Sequence, residues 1–225
     1  VWGAVRFVAG LCFAGIFVVA ESWLNVQATN STRGRLLSAY MVVVFLGLAV
    51  GQFLLPLADP RTIDLFVMVS ALVSLAMVPM LLSRLPAPDI PTVEGLGVGA
   101  LYRASPLGVI TALMSGVAHG ALFGMGAVYA QAIGLDSSGI ALFMAAPLLG
   151  GMLSQLPLGR LSDRFDRRTI LMTAALLCAA VSVTGWLAGG VGQIGLSAIM
   201  LGIGATTLPL YALSIAHTND ALTPR

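Results

Sequence analysis

The chain has 225 residues, of which 58% are hydrophobic and only 9% are charged. This balance excludes an ordinary soluble globular domain. The net charge of +2 rests on scattered arginines, which excludes the dense basic surface that a nucleic-acid-binding protein needs. The two cysteines, Cys12 and Cys178, both lie in apolar segments, so no disulfide or metal framework is indicated.

Seven apolar stretches follow one another along the chain. Each is close to the ~20 residues that a helix needs to cross the hydrocarbon core of a bilayer. The pattern predicts an all-α, polytopic membrane protein whose surroundings are the lipid bilayer. The predicted spans are 1–24, 36–57, 65–82, 107–133, 140–158, 169–188 and 194–216.

The arginines lie almost entirely on alternate connections between these spans. The arginine-rich connections and the C-terminal end carry Arg33, Arg35, Arg84, Arg103, Arg160, Arg164, Arg167, Arg168 and Arg225. The other connections carry only Arg61, which lies between Asp59 and Asp64. By the positive-inside bias, the arginine-rich side faces the cytoplasm. We therefore predict that the N-terminus of this chain lies outside and its C-terminus in the cytoplasm.

The segment 84–106 is the one candidate domain boundary. It contains four prolines and several glycines, and connections of this length between packed elements usually form a linker or a functional segment. Three spans precede it in residues 1–83 and four follow it in residues 107–225. The sequence thus predicts two half-bundles that a cytoplasmic linker joins.

The sharpest local motif covers residues 159–168, with the sequence GRLSDRFDRR. An acid beside several arginines can form a charge network against the end of a neighbouring helix. At the cytoplasmic mouth of a bundle, such a network can hold one conformation shut and release it in another. The alternative interpretation is a simple basic stop after a membrane span.

This motif resembles the G-x-L-x-D-R-x-G-R-R/K signature of the major facilitator superfamily, which follows the second and eighth helices of a twelve-helix fold. Asp166 stands where the second glycine is usual. The resemblance implies a role in the cytoplasmic gate for the matching residues, to which we add Glu21. The matching residues are Gly159, Leu161, Asp163, Arg164, Arg167 and Arg168.

Further segments resemble the YcaD-type branch of that superfamily. They are 21–25 (ESWLN), 33–35 (RGR) and 216–220 (AHTND). Gly47 and Gly51 loosely resemble its glycine-rich fifth helix. The resemblance covers essentially the whole chain and implies a partial major facilitator fold, with helices four to ten of twelve. It also implies a multi-pass monomer in the bacterial inner membrane, from which helices one to three, eleven and twelve are missing.

Ionisable residues inside a membrane are candidates for a substrate or proton pathway. Arg6 lies in the outer half of its span and Glu21 near the inner boundary. Arg6 is interpreted either as a pathway or proton-relay cation, or as a structural partner between helices that reaches the outer interface. Glu21 is interpreted either as a cap or brace of the cytoplasmic gate, or as a proton carrier.

His119 lies near the middle of its span, beside a stripe formed by Gly116, Gly120 and Gly124. Glycines four residues apart allow a neighbouring helix to pack closely. The imidazole could then face a central cavity and carry protons, or it could be a neutral group hydrogen-bonded between helices. Gln155 and Tyr211 are polar candidates that could reach either a substrate or a neighbouring helix.

These observations predict a secondary active transporter that moves a small solute by alternating access. Proton coupling is a hypothesis that rests on Arg6 and His119 alone. The alternative is a seven-helix receptor or sensor without transport activity. A retinal protein is excluded because the chain has no lysine for a Schiff base. An enzyme is not indicated, since the loops contain no metal-spaced cluster, no Ser–His arrangement and no phosphate-binding glycine loop. No cofactor is expected.

If His119 carries protons, replacing it with alanine should abolish flux driven by a pH gradient, because alanine cannot titrate. The measurement is uptake or efflux in membrane vesicles with an imposed pH gradient. An unchanged pH dependence in His119→Ala would contradict this role.

Overall fold

The computed structural model describes residues 2–27, 33–59, 61–82, 97–187 and 190–222. Every regular element in these ranges is helical, with a short 3₁₀ turn at Leu55–Leu57 after the second α-helix. This confirms the all-α prediction. The α-helices are α1 (Trp2–Gln27), α2 (Arg33–Gln52), α3 (Asp64–Leu82), α4 (Val98–Ala104), α5 (Pro106–Ala132), α6 (Ser137–Arg164), α7 (Arg167–Leu187) and α8 (Gln193–Leu222).

Six segments of the described chain are long and apolar enough to cross a membrane. They are Gly3–Leu24, Ala39–Leu57, Pro106–Ala132, Ser137–Ser162, Arg167–Leu187 and Gln193–Leu222. The predicted third span forms α3, but its apolar part, Asp64–Pro79, is shorter than a full crossing. Of the seven predicted spans, six are long enough to cross a membrane and the third forms a shorter apolar helix.

The predicted linker 84–106 is only partly described, because residues 83–96 lie outside the described ranges. Its last part is helical, since α4 occupies Val98–Ala104 and α5 begins at Pro106. The backbone of Ser105 between them is not helical, with φ −145° and ψ 75°, so α4 and α5 are separate helices. Proline lacks the N–H that an inner helical turn would use and disfavours the helical conformation of the residue before it. Pro106 is therefore suited to start α5.

The closest helix contact in the described structure lies between α6 and α8. A Cβ placed on Gly204 would overlap the backbone of Pro147, and one on Gly150 would overlap the carbonyl oxygen of Leu201. One turn further along, Leu208 packs against the face of Gly151. Side chains at these glycines would force the two backbones apart. The order of these contacts shows that α6 and α8 run in the same direction.

Two more helices pack on α8. Gly108 of α5 lies directly against Ser214 and Thr218, where a Cβ would overlap the Thr218 hydroxyl. Apolar side chains of α7 and α8 form one buried cluster, against which Leu107 of α5 packs; its members are Ile170, Leu171, Ala174, Leu210 and Leu213. Helix α8 is thus the centre of the half-bundle predicted for residues 107–225.

Helix α2 joins this half-bundle through a separate cluster. Ala49 of α2 is buried with Ala145 and Leu148 of α6 and Leu208 of α8, and Phe45 packs against them. Ala49 lies in the last turn of α2, Ala145 in the third turn of α6 and Leu208 near the middle of α8. The contact between the two predicted half-bundles therefore lies between the middle of the bundle and the end where α2 finishes and α6 begins.

The glycine stripe predicted beside His119 does not support close packing in this part of the chain. Nothing described lies within 4 Å of a Cβ built on Gly116, Gly120 or Gly124, and the same holds for Gly47 and Gly51. The glycines of α5 that make close contacts are Gly108 and Gly126. Which glycines pack depends on how each helix is rotated about its axis, and the spacing of the glycines alone does not determine that.

The contact between α6 and α8 predicts that Gly204→Ala destabilises the protein. The added methyl group meets the Pro147 backbone, and such overpacking costs about 1–3 kcal/mol. We expect the melting temperature in detergent to fall by roughly 3–10 °C.

Gly202→Ala on the same helix is the matched control. Its Cβ would meet only the side chain of Val181, at 3.1 Å, and that side chain can shift. If the two variants melted at the same temperature, the backbone contact between α6 and α8 would be contradicted.

Candidate functional site

The motif at residues 159–168 is mostly helical, which corrects its prediction as a loop. Helix α6 continues to Arg164 and α7 begins at Arg167, so only Phe165 and Asp166 connect them. Phe165 adopts an extended conformation, and its N–H donates to the Leu161 carbonyl at 2.9 Å. The motif therefore forms the last two turns of one helix and the start of the next.

Asp166 explains how so short a turn is stabilised. Its carboxylate accepts hydrogen bonds from the Thr169 N–H at 3.3 Å and from the Thr169 hydroxyl at 3.2 Å. A carboxylate that accepts from the third residue of a helix is an N-cap, which satisfies one of the donors left open at the helix start. The residue that departs from the family signature thus caps α7.

Arg167 forms an ion pair with Asp220, with 3.2 Å between Nε and Oδ2. The two side chains are 25% and 60% exposed, so the pair contributes no more than about 1 kcal/mol to stability. Arg167 lies at the start of α7 and Asp220 near the end of α8, and each charge is unfavourable for the dipole of its own helix. Pairing offsets both unfavourable placements and links the two helix ends.

Two connected cavities lie beside this ion pair. The outer one, of about 550 Å³, opens between α6, α7 and α8 and is lined by Ser162, Phe165, Asp166, Arg167, His217, Asp220 and Ala221. The inner one, of about 170 Å³, is lined by Gln155, Gly159, Ser162, Arg167, Pro209, Ala212, Leu213 and Ala216. Ser162 and Arg167 line both, so together the cavities lead from the mouth to Gln155.

Gln155 is the deepest polar residue of this path. Its Oε1 atom is buried and has no hydrogen-bond partner among the described residues. A buried amide oxygen without a partner is costly, and the inner cavity is large enough for a few water molecules. Gln155 is therefore positioned to bind water or a polar group that enters from the mouth.

The structure brings only part of the predicted gate motif together. Gly159 and Arg167 line the cavities, whereas Leu161, Arg164 and Arg168 are exposed. The side chain of Asp163 lies outside what the structure describes. Asp220 was missed as a site residue, although it belongs to the segment 216–220 that the sequence singled out.

His119 lies on the face of α5 that packs against α8. Its imidazole is within hydrogen-bonding reach of the Thr207 backbone, and its ring centroid is 6.3 Å from that of Phe123. The Nε2 atom is buried without a partner among the described residues, as is the hydroxyl of Ser115 one turn earlier. His119 therefore has one nitrogen against α8 and a second that remains able to bind a proton or water.

Glu21 is not brought to the charged motif. It is half-buried on α1. Arg6 is exposed on the same helix, about 22 Å of helix rise away. No three His, Cys, Asp or Glu side chains converge within the described ranges in a way that could hold a metal ion.

Comparisons with known proteins give one family. The family model described as Major Facilitator Superfamily matches residues 1–224. Several relatives carry the name "Uncharacterized MFS-type transporter YcaD". The one from Salmonella heidelberg is 30% identical over 217 residues, which are 96% of this chain and 56% of the relative.

Two further relatives of the same name agree. The one from Escherichia coli O139:H28 is 31% identical over 96% of this chain and 56% of its own length. The one from Escherichia fergusonii is 34% identical over 76% of this chain and 45% of its own length. The chain thus spans about half the length of the curated relatives that it matches. No solved structure matches it.

The capping role of Asp166 predicts that Asp166→Ala destabilises the start of α7, by about 1 kcal/mol. Asp166→Asn should keep most of the stability, because an amide oxygen can accept the same bond from Thr169. The measurement is the melting temperature of both variants. Equal destabilisation by alanine and asparagine would contradict the cap.

Proposed function

Because this chain belongs to the major facilitator superfamily, we propose that it forms part of a secondary active transporter that moves a small solute by alternating access. The observation that carries the proposal is an asymmetry between the two ends of the bundle. Towards one end, α2 packs tightly on α6 through Ala49, Ala145 and Leu148. Towards the other end, the cavities between α6, α7 and α8 lead inwards to Gln155.

The arginine distribution gives these two ends a direction. With the arginine-rich connections in the cytoplasm, the contact between α2 and α6 lies towards the outside and the cavities open inwards. The arrangement then corresponds to an inward-facing state in the inner membrane of a bacterium. Rocking of the two half-bundles about the Ala49 contact would exchange this state for an outward-facing one.

The ion pair between Arg167 and Asp220 is the proposed brace of the cytoplasmic mouth. It joins the motif to the end of α8 beside the cavity mouth. Both residues belong to the second half-bundle, and the pair is formed in the arrangement that we assign to the inward-facing state, so it holds the ends of α7 and α8 together while the mouth is open. Glu21 keeps its predicted role as a brace on the cytoplasmic side of the bundle.

Gln155 and Tyr211 are the proposed contacts for the solute, and His119 and Arg6 the proposed groups for proton coupling. His119 is the stronger of these two candidates, because its Nε2 is buried without a partner among the described residues. We also propose that the transporter acts as a monomer. The receptor alternative gains no support from the family match.

Alternating access can be tested without knowing the solute. In a background with Cys12 and Cys178 replaced by serine, Ala49→Cys and Ala145→Cys are joined by oxidation. Gln155→Cys then reports the open mouth through its reaction with a maleimide added to the cytoplasmic side. We expect Gln155→Cys to react several times faster in the joined protein than in the same variant without the link. With the outer contact held closed, the protein stays in the state whose cytoplasmic mouth is open.

The matched control joins Ala146→Cys to Met200→Cys, which lie together in a buried cluster formed within one half-bundle. This link should leave the rate at Gln155→Cys unchanged. If the link between α2 and α6 also left the rate unchanged, the alternation between two states would be contradicted.

A further inference from the structure

One face of α5 is turned towards the other helices of its half-bundle. Gly108, Ser115, Gly126 and Ala130 are buried on this face, and His119 is half-buried. Their spacing follows the 3.6-residue period of an α-helix, so the five residues lie in one line along the helix. Ser115 and His119 are polar neighbours near the middle of that line.

Close contacts hold α5 on both sides of these two polar residues. Towards the start of the helix, a Cβ on Gly108 would overlap the Thr218 hydroxyl of α8. Towards its end, a Cβ on Gly126 would lie 2.9 Å from the sulfur of Met144 on α6. The two polar side chains therefore lie between two points at which α5 is packed against its neighbours.

Neither polar side chain has all its hydrogen bonds within the described structure. Ser115 is 3% exposed. Its Oγ atom and the Nε2 atom of His119 are buried without a partner among the described residues. A buried polar atom without a partner is costly, and the hydrocarbon of a bilayer offers no partner to it. The same need at two neighbouring positions can be met by one shared molecule.

The separation of the two positions suits a single water molecule. Residues four apart on a helix have Cβ atoms about 5–6 Å from each other. A water molecule that bonds to both Ser115 and His119 spans about 5–6 Å, which is twice the length of one hydrogen bond. Buried water molecules in proteins bridge polar atoms of this kind.

We propose that Ser115 and His119 hold a buried water molecule, which is the immediate proton donor and acceptor of the imidazole. Ser115 is then a positioning residue, because its hydroxyl holds the water beside Nε2. In loading, the water receives one proton and passes one to Nε2, so an imidazolium forms and the water is regenerated. Unloading is the reverse. The proposal rests on the proposed role of His119 in proton coupling and adds the group that delivers the proton.

The charged residues of the helices packed against α5 lie near the ends of those helices. Tyr211, in the inner part of α8, is a further titratable group, and a phenol is neutral at physiological pH. In the described structure, hydrogen bonds rather than an ionised partner are thus available to stabilise a charged His119. The charged or titratable residues near the helix ends are Arg103, Arg160, Asp163, Arg164, His217 and Asp220.

The chain suits a direct test, because it contains two histidines. In purified protein with labelled histidine rings, NMR measures the transfer of magnetisation from water to the Hδ2 proton, whose carbon is bonded to Nε2. The variant His217→Gln assigns the two signals. His217 lines the outer cavity, so its ring is the reference for contact with mobile water. We expect the His119 ring to show the transfer of a held water molecule, with the sign that slow exchange gives.

Ser115→Thr and Ser115→Val form the matched pair, because their side chains have the same shape and differ in the hydroxyl. Ser115→Thr should keep the transfer to His119, whereas Ser115→Val should reduce it severalfold. Ser197→Ala is the distant control. The Ser197 Oγ is also buried without a partner among the described residues, but it lies near the start of α8. Its loss should leave the His119 signal unchanged.

The proposal is overturned if His119 in the unchanged protein shows no transfer from a held water molecule, or if Ser115→Val keeps that transfer. Melting curves establish that each variant is folded. Should the larger side chains prevent folding, the comparison of Ser115→Ala with Ser197→Ala decides. Equal His119 signals in those two variants would overturn the site.

The proton role has a readout of its own. In vesicles with an imposed pH gradient, Ser115→Val should lose most of the flux that His119→Ala abolishes, and Ser115→Thr should keep it. Equal flux in the two Ser115 variants would overturn the water as proton donor.

The NMR measurement does not require transport. A negative result there, together with the expected labelling of Gln155→Cys, would remove the water site and leave the transporter. The reverse pair of results would leave a hydrated histidine in a membrane protein that does not alternate.

Discussion

The backbone contact between α6 and α8 is the constraint on which the rest of the described structure depends. At Gly150, Gly151 and Gly204 the two helices approach so closely that added methyl groups would overlap their neighbours. Beyond that point the helices enclose the inner cavity, which Pro209 helps to line. Pro157 of α6 lies six residues beyond Gly151, and each proline removes one helical hydrogen bond. The tight contact thus fixes the middle of the helix pair, and a helix can bend at the prolines that flank Gln155.

The end of the bundle that carries residues 159–168 shows the opposite principle. There the contacts are polar, partly exposed and individually weak, with an arginine at the start of α7 and an aspartate near the end of α8. Each charge alone disfavours the helix that carries it, so the two helix ends are stabilised chiefly when they meet. The half-bundle of residues 107–225 thus combines a rigid apolar contact near its middle with a charged contact at one end that can open at small cost.

The sequence predicted the helices well, because long apolar stretches with few charges have few other solutions in a membrane. It predicted their ends poorly on the cytoplasmic side. Arg160 and Arg164 extend α6 and Asp220 belongs to α8 because charged residues are compatible with a helix that continues into water. The N-cap at Asp166 sets the residue at which α7 begins. It is visible in the sequence as an acid three residues before Thr169.

The candidate site was predictable only in part. Gln155 was singled out as a polar residue within a span and Arg167 as part of the motif at residues 159–168, and both line the cavities. The partner of Arg167 could not be identified, since a contact between α7 and α8 depends on packing. The glycines of α5 were misjudged for a related reason. A helix that is apolar on all sides has no preferred face in its sequence, so nothing in the spacing showed that Gly108, rather than Gly120, would meet α8.

The two-residue connection of Phe165 and Asp166 has a consequence for how the protein is made. So short a turn limits how far the joined ends of α6 and α7 can separate, although both helices pack chiefly on α8. Four arginines flank this turn, at positions 160, 164, 167 and 168. Because positive charge resists translocation, a chain in the proposed orientation would keep this turn in the cytoplasm, and the orientation of α8 would follow from it during synthesis.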